Sequence, residues 1–170
     1  MAVTISIEDP AVRDVRELLE RHLAFAREVT PEGGVFALDL TALRAPEVTF
    51  FCARFDGRLL GVAALQELDE SHGELKSMHT AEETRRQGIG RLLVAHVLGV
   101  AGDRGYDRVS LETGNFDAFA PARALYESCG FTACALYGQY VGSTTSACMT
   151  MTIEEDDRAQ PHATAREDRG

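Results

Sequence analysis

Met78-His79-Thr80-Ala81-Glu82-Glu83-Thr84-Arg85-Arg86-Gln87-Gly88-Ile89-Gly90-Arg91 is the stretch on which the rest of the chain turns. It sets a Gly-x-Gly and three arginines between a run that reads as a strand, Gly73 to Thr80, and one that reads as a helix. In the latter, Ile89, Leu92, Leu93, Val97 and Val100 recur at the i, i+3, i+4, i+8, i+11 spacing of one helix face. A strand-to-helix junction presents amide groups without an intrahelical partner at the positive end of the helix dipole, and glycine lets an oxygen-rich ligand approach the backbone. The segment therefore has the make-up of a pyrophosphate cradle. Two familiar phosphate loops fail against it. No Lys-Ser or Lys-Thr pair follows the second glycine, as a nucleoside-triphosphate loop requires, and Leu93 stands where a dinucleotide fingerprint has its third glycine. What is left is Arg85-x-x-Gly88-x-Gly90.

Working outward, Val3, Ile5 and Ile7 alternate with polar residues as in a strand, and Asp9-Pro10 is a helix start, followed by Val12, Val15, Leu18, Leu19 and Leu23 at helical spacing up to Thr30-Pro31. A short helix is expected around Leu38 to Leu43, and Val48 to Phe55 and Leu59 to Leu65 flank Asp56-Gly57 as a hairpin. Beyond the central helix, which stops near Gly102 to Gly105, Asp107 to Thr113 alternates as a strand and Pro121 to Cys129 is a helix closed by Gly130. Phe131 to Leu136 and Ala147 to Ile153 read as closing strands. This order describes an α/β fold with a mixed sheet flanked by helices. Residues 1–153 form one domain, and 154–170, with almost nothing to bury, read as a disordered acidic tail.

Here the sequence resembles the GNAT superfamily of acetyl-CoA-dependent N-acetyltransferases. Their acyl-CoA signature is Arg or Gln, two residues, Gly, one residue, then Gly or Ala, opening a helix after a central strand. A second match lies downstream, where Ala122-Arg123-Ala124-Leu125-Tyr126-Glu127-Ser128-Cys129-Gly130-Phe131 is similar to the family's Ala-x-x-Leu-Tyr-x-x-x-Gly-Phe helix. The resemblance spans residues 3 to 153 and implies a sheet that splays at its centre to admit the thioester of acetyl-CoA. It also implies that the amides of Arg86, Gln87, Gly88, Ile89, Gly90 and Arg91 hold the pyrophosphate, with the side chains of Arg85, Arg86 and Arg91 near phosphate groups. Met78, His79 and Thr80 would pair their backbone with the pantetheine arm. Three positions depart from the family pattern: Phe119 replaces an asparagine that bonds that arm, Thr80 an aliphatic residue, and Arg86 a common glycine.

Amine acetylation needs a neutral nitrogen, whereas an alkyl ammonium has a pKa of about 10, so a base must take a proton and the leaving thiolate gains from an acid. Tyr126 occupies the place of the family's tyrosine that faces the thioester sulfur; its alternative is a core aromatic. Glu74, eleven residues before Arg85, matches the general base of several family members, and its alternative is a solvated strand-end carboxylate. If Met78 and Thr80 line the cleft, strand alternation puts Glu74 and Lys76 on their face and His79 on the opposite one. Glu112 on the adjacent strand is the rival base.

There are 27 Asp and Glu against 17 Lys and Arg, for a net charge of −10, which disfavours nucleic acid and anionic membranes as partners. The histidines make no metal spacing, so no metal cofactor is expected, and His96 reads as a core residue. No GxSxG elbow is present. Cys52, Cys129, Cys134 and Cys148 lack CxxC spacing and no signal peptide precedes them, so they read as reduced residues of a cytoplasmic protein. The resemblance puts the acceptor pocket between Glu28 to Leu43 and Tyr137 to Ser146. The expected activity is acetyl transfer to a primary amine of a small molecule or peptide. The competing class is an acyl-CoA-binding sensor that would keep the cradle but need neither Glu74 nor Tyr126. An exposed closing strand offers a route to a homodimer.

Overall fold

The computed structural model describes residues 2–36 and 38–154. The tail expected from residue 154 lies, beyond Glu154, outside the described residues. In chain order the elements are β1 (Thr4–Ile7), α1 (Arg13–Val29), α2 (Leu40–Leu43), β2 (Val48–Phe55), β3 (Arg58–Asp69), β4 (His72–Thr80), α3 (Ile89–Asp103), β5 (Arg108–Gly114), α4 (Ala120–Ser128), β6 (Thr132–Cys134) and β7 (Ser146–Thr152). The strands form one sheet in the order β1-β2-β3-β4-β5-β7-β6. Only β4 and β5 run parallel, joined by the crossover helix α3, and the other neighbours are antiparallel.

Each face of the sheet is covered. On one, Val15 and Leu18 of α1 and Leu43 of α2 pack with Phe50, Cys52, Val62 and Ala64. On the other, Ile89, Leu93, Val94 and Val97 of α3 pack with Phe51, Ala53, Ala63, Leu65, Leu75 and Leu111, and Tyr126 of α4 joins them. Alternation along β2 and β3 thus feeds two cores, so these central strands are apolar on both sides. Arg54 ties the α1 layer down: its guanidinium donates to Glu8 at 2.8 Å and to Asp14 at 2.6 Å, holding both carboxyls below their ordinary range chiefly through those hydrogen bonds.

Several expected boundaries move, among them the end of β3, which runs on from Leu65 to Asp69, and two have a cause in the hydrogen bonds. Asp9-Pro10 does not open α1; the Asp9 carboxylate accepts from Ala11 N at 2.9 Å and its carbonyl from Val12 N at 3.1 Å, so a turn is completed first and the helix starts at Arg13. Phe131 does not begin a strand either. Its N–H donates back to the Tyr126 carbonyl at 3.1 Å while that of Gly130 donates to Glu127 at 3.0 Å, so both residues cap α4 and Phe131 fills the core.

Candidate active site

β4 and β5 pair only from His72↔Arg108 to Leu75↔Leu111, and beyond that point they part. The parting coincides with a bulge on the other edge of β4. Lys76 faces Ala64 and His79 faces Val62, so Ser77 and Met78 together oppose one residue of β3, and Ser77 takes a φ of 51°. The extra residue inverts the alternation. Glu74, Lys76 and His79 lie on the α1 face with their partners Gln66, Ala64 and Val62, whereas Thr80, opposite Gly61, lies on the α3 face. Simple alternation is therefore corrected in two respects: Glu74 and Lys76 do not share a face with Thr80, and His79 does share theirs.

A cavity of about 130 Å³ fills the gap between the parted strands. Lys76, Ser77 and Met78 of β4 and Glu112, Thr113 and Gly114 of β5 form its walls. His22 and Ala26 of α1 close it from one face of the sheet, and Ala122 and Tyr126 of α4 from the other. It thus passes through the sheet, a place where two reactants can meet from opposite sides.

At the end of β4, Ala81 N donates to the Leu60 carbonyl at 2.8 Å, and the buried Thr84 hydroxyl reaches the same carbonyl at 2.8 Å, which pins the turn Glu82–Thr84. Arg85, Arg86 and Gln87 then run exposed into α3. The N-cap of α3 is Gly88, at φ 81° and with no side-chain cap, so the first amides of the helix are left for a ligand. Gly90 packs against side chains instead: a Cβ there would fall 2.8 Å from Leu125 Cδ2 and 3.3 Å from Met78 Cε, flexible ends that would have to shift. Arg91 is engaged elsewhere, donating to the Ser128 hydroxyl at 2.8 Å and so fastening α3 to α4. Arg85 and Arg86 stay at the loop, and Arg86 holds a positive φ of 62° where the family pattern favours glycine. Uncapped amides, an open glycine and two exposed guanidiniums fit a pyrophosphate.

The titratable groups divide between the cavity and the wall behind it. Glu74 is not on the lining; its carboxylate accepts from Lys76 Nζ at 3.2 Å and from the Tyr140 hydroxyl, and Lys76 donates to that hydroxyl at 2.8 Å. Glu74 and Lys76 side chains are each 5% exposed, so this is a buried ion pair bridged by a phenol. Glu112 does line the cavity, and burial raises its carboxyl against the opposing effects of Ser146 and Lys76. Tyr126, 8% exposed, has its phenol pushed up by burial, then by Cys129 and Glu112, and so keeps its proton. His22 stacks on His79 with ring centroids 4.5 Å apart. Burial and then neighbouring charge, including Arg85, hold both imidazoles neutral, His79 down to about 3. Tyr140 and His22 carry no signal in the sequence that marks them for the site. Neither belongs to a motif, and each reaches the site only through the topology. The strand pair Glu74-x-Lys76 was the one local signal of a buried ion pair.

A family model, that of the acetyltransferase (GNAT) family, matches residues 13–131. The chain belongs to the GNAT family. As a GNAT protein it is an acetyl-CoA-dependent acetyltransferase. It is 42% identical over 146 residues to the Bacillus subtilis (strain 168) protein named as the uncharacterized N-acetyltransferase YsnE, covering 86% of this chain and 97% of that one. To the Escherichia coli (strain K12) uncharacterized N-acetyltransferase YedL it is 36% identical over 154 residues, 91% of this chain and 97% of the other. A crystal structure of a GNAT family acetyltransferase from Elizabethkingia anophelis with acetyl-CoA bound matches with a TM-score of 0.68 at 18% identity, over 89% of this chain and 98% of that one, a likeness of fold. The mixed, centrally opened sheet expected of a GNAT fold is the one observed. Among the described residues no helix is long and apolar enough to cross a membrane, and no group of three His, Cys, Asp or Glu side chains is placed to hold a metal ion.

Proposed function

We propose that this GNAT protein transfers the acetyl group of acetyl-CoA to the nitrogen of a primary amine, carried by a small molecule or a peptide, by direct attack on the thioester. The observation that carries this reading is the cavity through the parted sheet, which is lined by both Glu112 and Tyr126. Acetyl-CoA, when bound, supplies an acyl group already activated as a thioester. The amides from Arg86 to Arg91 and the side chains of Arg85 and Arg86 hold its pyrophosphate, while Arg91 braces the loop through Ser128. Met78, His79 and Thr80 lie beyond the last residue that β5 pairs with, so their backbone is available to the pantetheine arm as an added strand.

Glu112 takes the proton from the acceptor ammonium. It borders the cavity, and burial raises its carboxyl, which makes it a stronger base than an exposed carboxylate. Glu74, the glutamate expected from the sequence to do this, instead holds Lys76 and Tyr140 in place from behind the wall. Tyr126 keeps its phenolic proton and gives it to the departing sulfur, whose thiolate would otherwise leave into a buried site.

Calorimetric titration with acetyl-CoA, with dephospho-CoA and ATP as controls, is the first test. Micromolar binding, on the order of −8 kcal/mol, is expected. Acetyl transfer to a panel of amines is then expected to fall about 10- to 100-fold in kcat in Tyr126→Phe with acetyl-CoA affinity unchanged. Absence of binding to a folded sample would remove the cradle. Binding without transfer to any amine would make the protein a sensor.

A further inference from the structure

Lys76 is a buried cation with unused bonding capacity. An ammonium has three N–H donors, and those of Lys76 serve Glu74 at 3.2 Å and Tyr140 at 2.8 Å, leaving one while the residue itself lines the cavity. His22 lines the same cavity from α1, and its Nδ1 is buried with no hydrogen-bond partner. A buried polar atom of this kind costs free energy unless something bonds to it. Both residues lie on the α1 side of the sheet, since His22 stacks on His79 and both His79 and Lys76 face that side. Glu112, the acceptor of a proton, stands on the other parted strand.

We infer that the acceptor is a free amino acid, its carboxylate held by the spare N–H of Lys76 and an N–H of His22, its amine turned toward Glu112. This rests on the acetyl-transfer reading above and narrows its substrate. A neutral His22 has one ring N–H and can place it at Nδ1 when an anionic oxygen lies there. Lys76 is ion-paired with Glu74 at 3.2 Å and its side chain is 5% exposed, so its remaining bond to a carboxylate is charge-assisted and shielded from water. A polyamine would set a cation against Lys76, and the N-terminal amine of a peptide has a neutral amide where the carboxylate should be. Ala26, Val35 and Phe36 give the lining an apolar part, beside Thr30, Ser77 and Thr113, for the body of the molecule.

The test compares three probe sets with the wild-type protein and acetyl-CoA: the common amino acids, their carboxamides, and the amines left by removing the carboxyl group. At least one amino acid is expected to exceed its carboxamide and its decarboxylated amine about 100-fold in kcat/KM. That ratio is expected to shrink to about 10-fold in His22→Phe and to near 1 in Lys76→Met combined with Glu74→Gln, a pair that leaves no buried carboxylate orphaned. Binding is read separately by titrating the same probes into protein saturated with CoA. Saturable heat from amino acids and none from their amides, alongside turnover, supports the carboxylate contact at Lys76 and His22. Equal turnover or equal binding of amino acids and amides overturns it while leaving acetyl transfer standing. Amino-acid binding with no transfer to any amine overturns the transferase reading instead.

Discussion

The two approaches to the cavity are built from different materials. On the side proposed for the cofactor, the loop from Arg85 into α3 offers backbone: uncapped amides behind Gly88, and a Gly90 that faces Met78 and Leu125. On the side proposed for the acceptor, α1, β4 and β5 offer side chains: His22, Lys76 and Glu112, with Glu74 and Tyr140 behind them. A site made of backbone constrains the sequence through the spacing of residues that keep the backbone open. A site made of side chains constrains it through single positions far apart in the chain. The first can serve one invariant ligand, and the second can be rewritten position by position for different acceptors.

The largest effect should come from separating the two carboxylates of the acceptor side. Glu112→Gln is expected to lower kcat/KM about 100- to 10,000-fold with acetyl-CoA affinity unchanged, because it removes the proposed proton acceptor and nothing from the proposed cradle. Glu74→Gln is expected to cost less in rate and to act on acceptor KM, through Lys76. The pH profile gives the sign. A base must be deprotonated, so activity falls as pH drops through the Glu112 pKa, and burial sets that limb above the ordinary carboxylate range. Loss of this limb in Glu74→Gln, with Glu112→Gln retaining it, would reverse the assignment.

The same division explains what could be read from the chain alone. The strand, short glycine loop and helix around Arg85, Gly88 and Gly90, which we propose as the cradle, are legible because they are consecutive and fit in one window. The order of elements was legible because the apolar periods of β2, β3 and α3 are long and clean. The faces of β4 were not. One extra residue at Ser77 and Met78 reverses every side chain after it, and a serine at positive φ leaves no glycine in the sequence to flag the bulge. Tyr140 was hidden for another reason. Its bond to Glu74 joins residues 66 positions apart, through strand neighbours that local patterning does not specify.

Because the acceptor side depends on α1 for His22, it should be sensitive to how α1 is anchored, and the cradle should not. Arg54, 19% exposed, bonds Glu8 and Asp14 and fixes the start of α1 to β2. Arg54→Met is expected to lower stability by about 2 kcal/mol at pH 7, some 4–8 °C in Tm for a chain of this size. Both carboxyls have folded-state pKa values lowered by Arg54, so the stability they contribute is present above their unfolded values near pH 4 and is lost as pH falls through the lower folded ones. The gap between wild type and variant should therefore close between pH 4 and more acidic conditions. Acceptor KM should rise in the variant while the acetyl-CoA dissociation constant stays put. Equal weakening of both ligands would mean that α1 supports the cradle as well.

The smallest effect isolates what a side chain adds to a site made of backbone. Arg86 sits at φ 62°, a conformation that costs an L-residue with a Cβ about 1 kcal/mol and glycine almost nothing. Arg86→Gly removes the strain and the charge together, whereas Arg86→Ala removes the charge and keeps the strain. If the loop binds through its amides, both variants should weaken acetyl-CoA by the same modest factor, about 3- to 10-fold, with the loss shrinking as salt screens the guanidinium from phosphate. Stability should separate them. Arg86→Gly is expected to melt about 1–3 °C above Arg86→Ala, less than the strain alone would give, because glycine also adds freedom to the unfolded chain. A 100-fold loss of acetyl-CoA in both would show that the cradle, like the acceptor side, is held by side chains, and the contrast between the two halves of the site would fall.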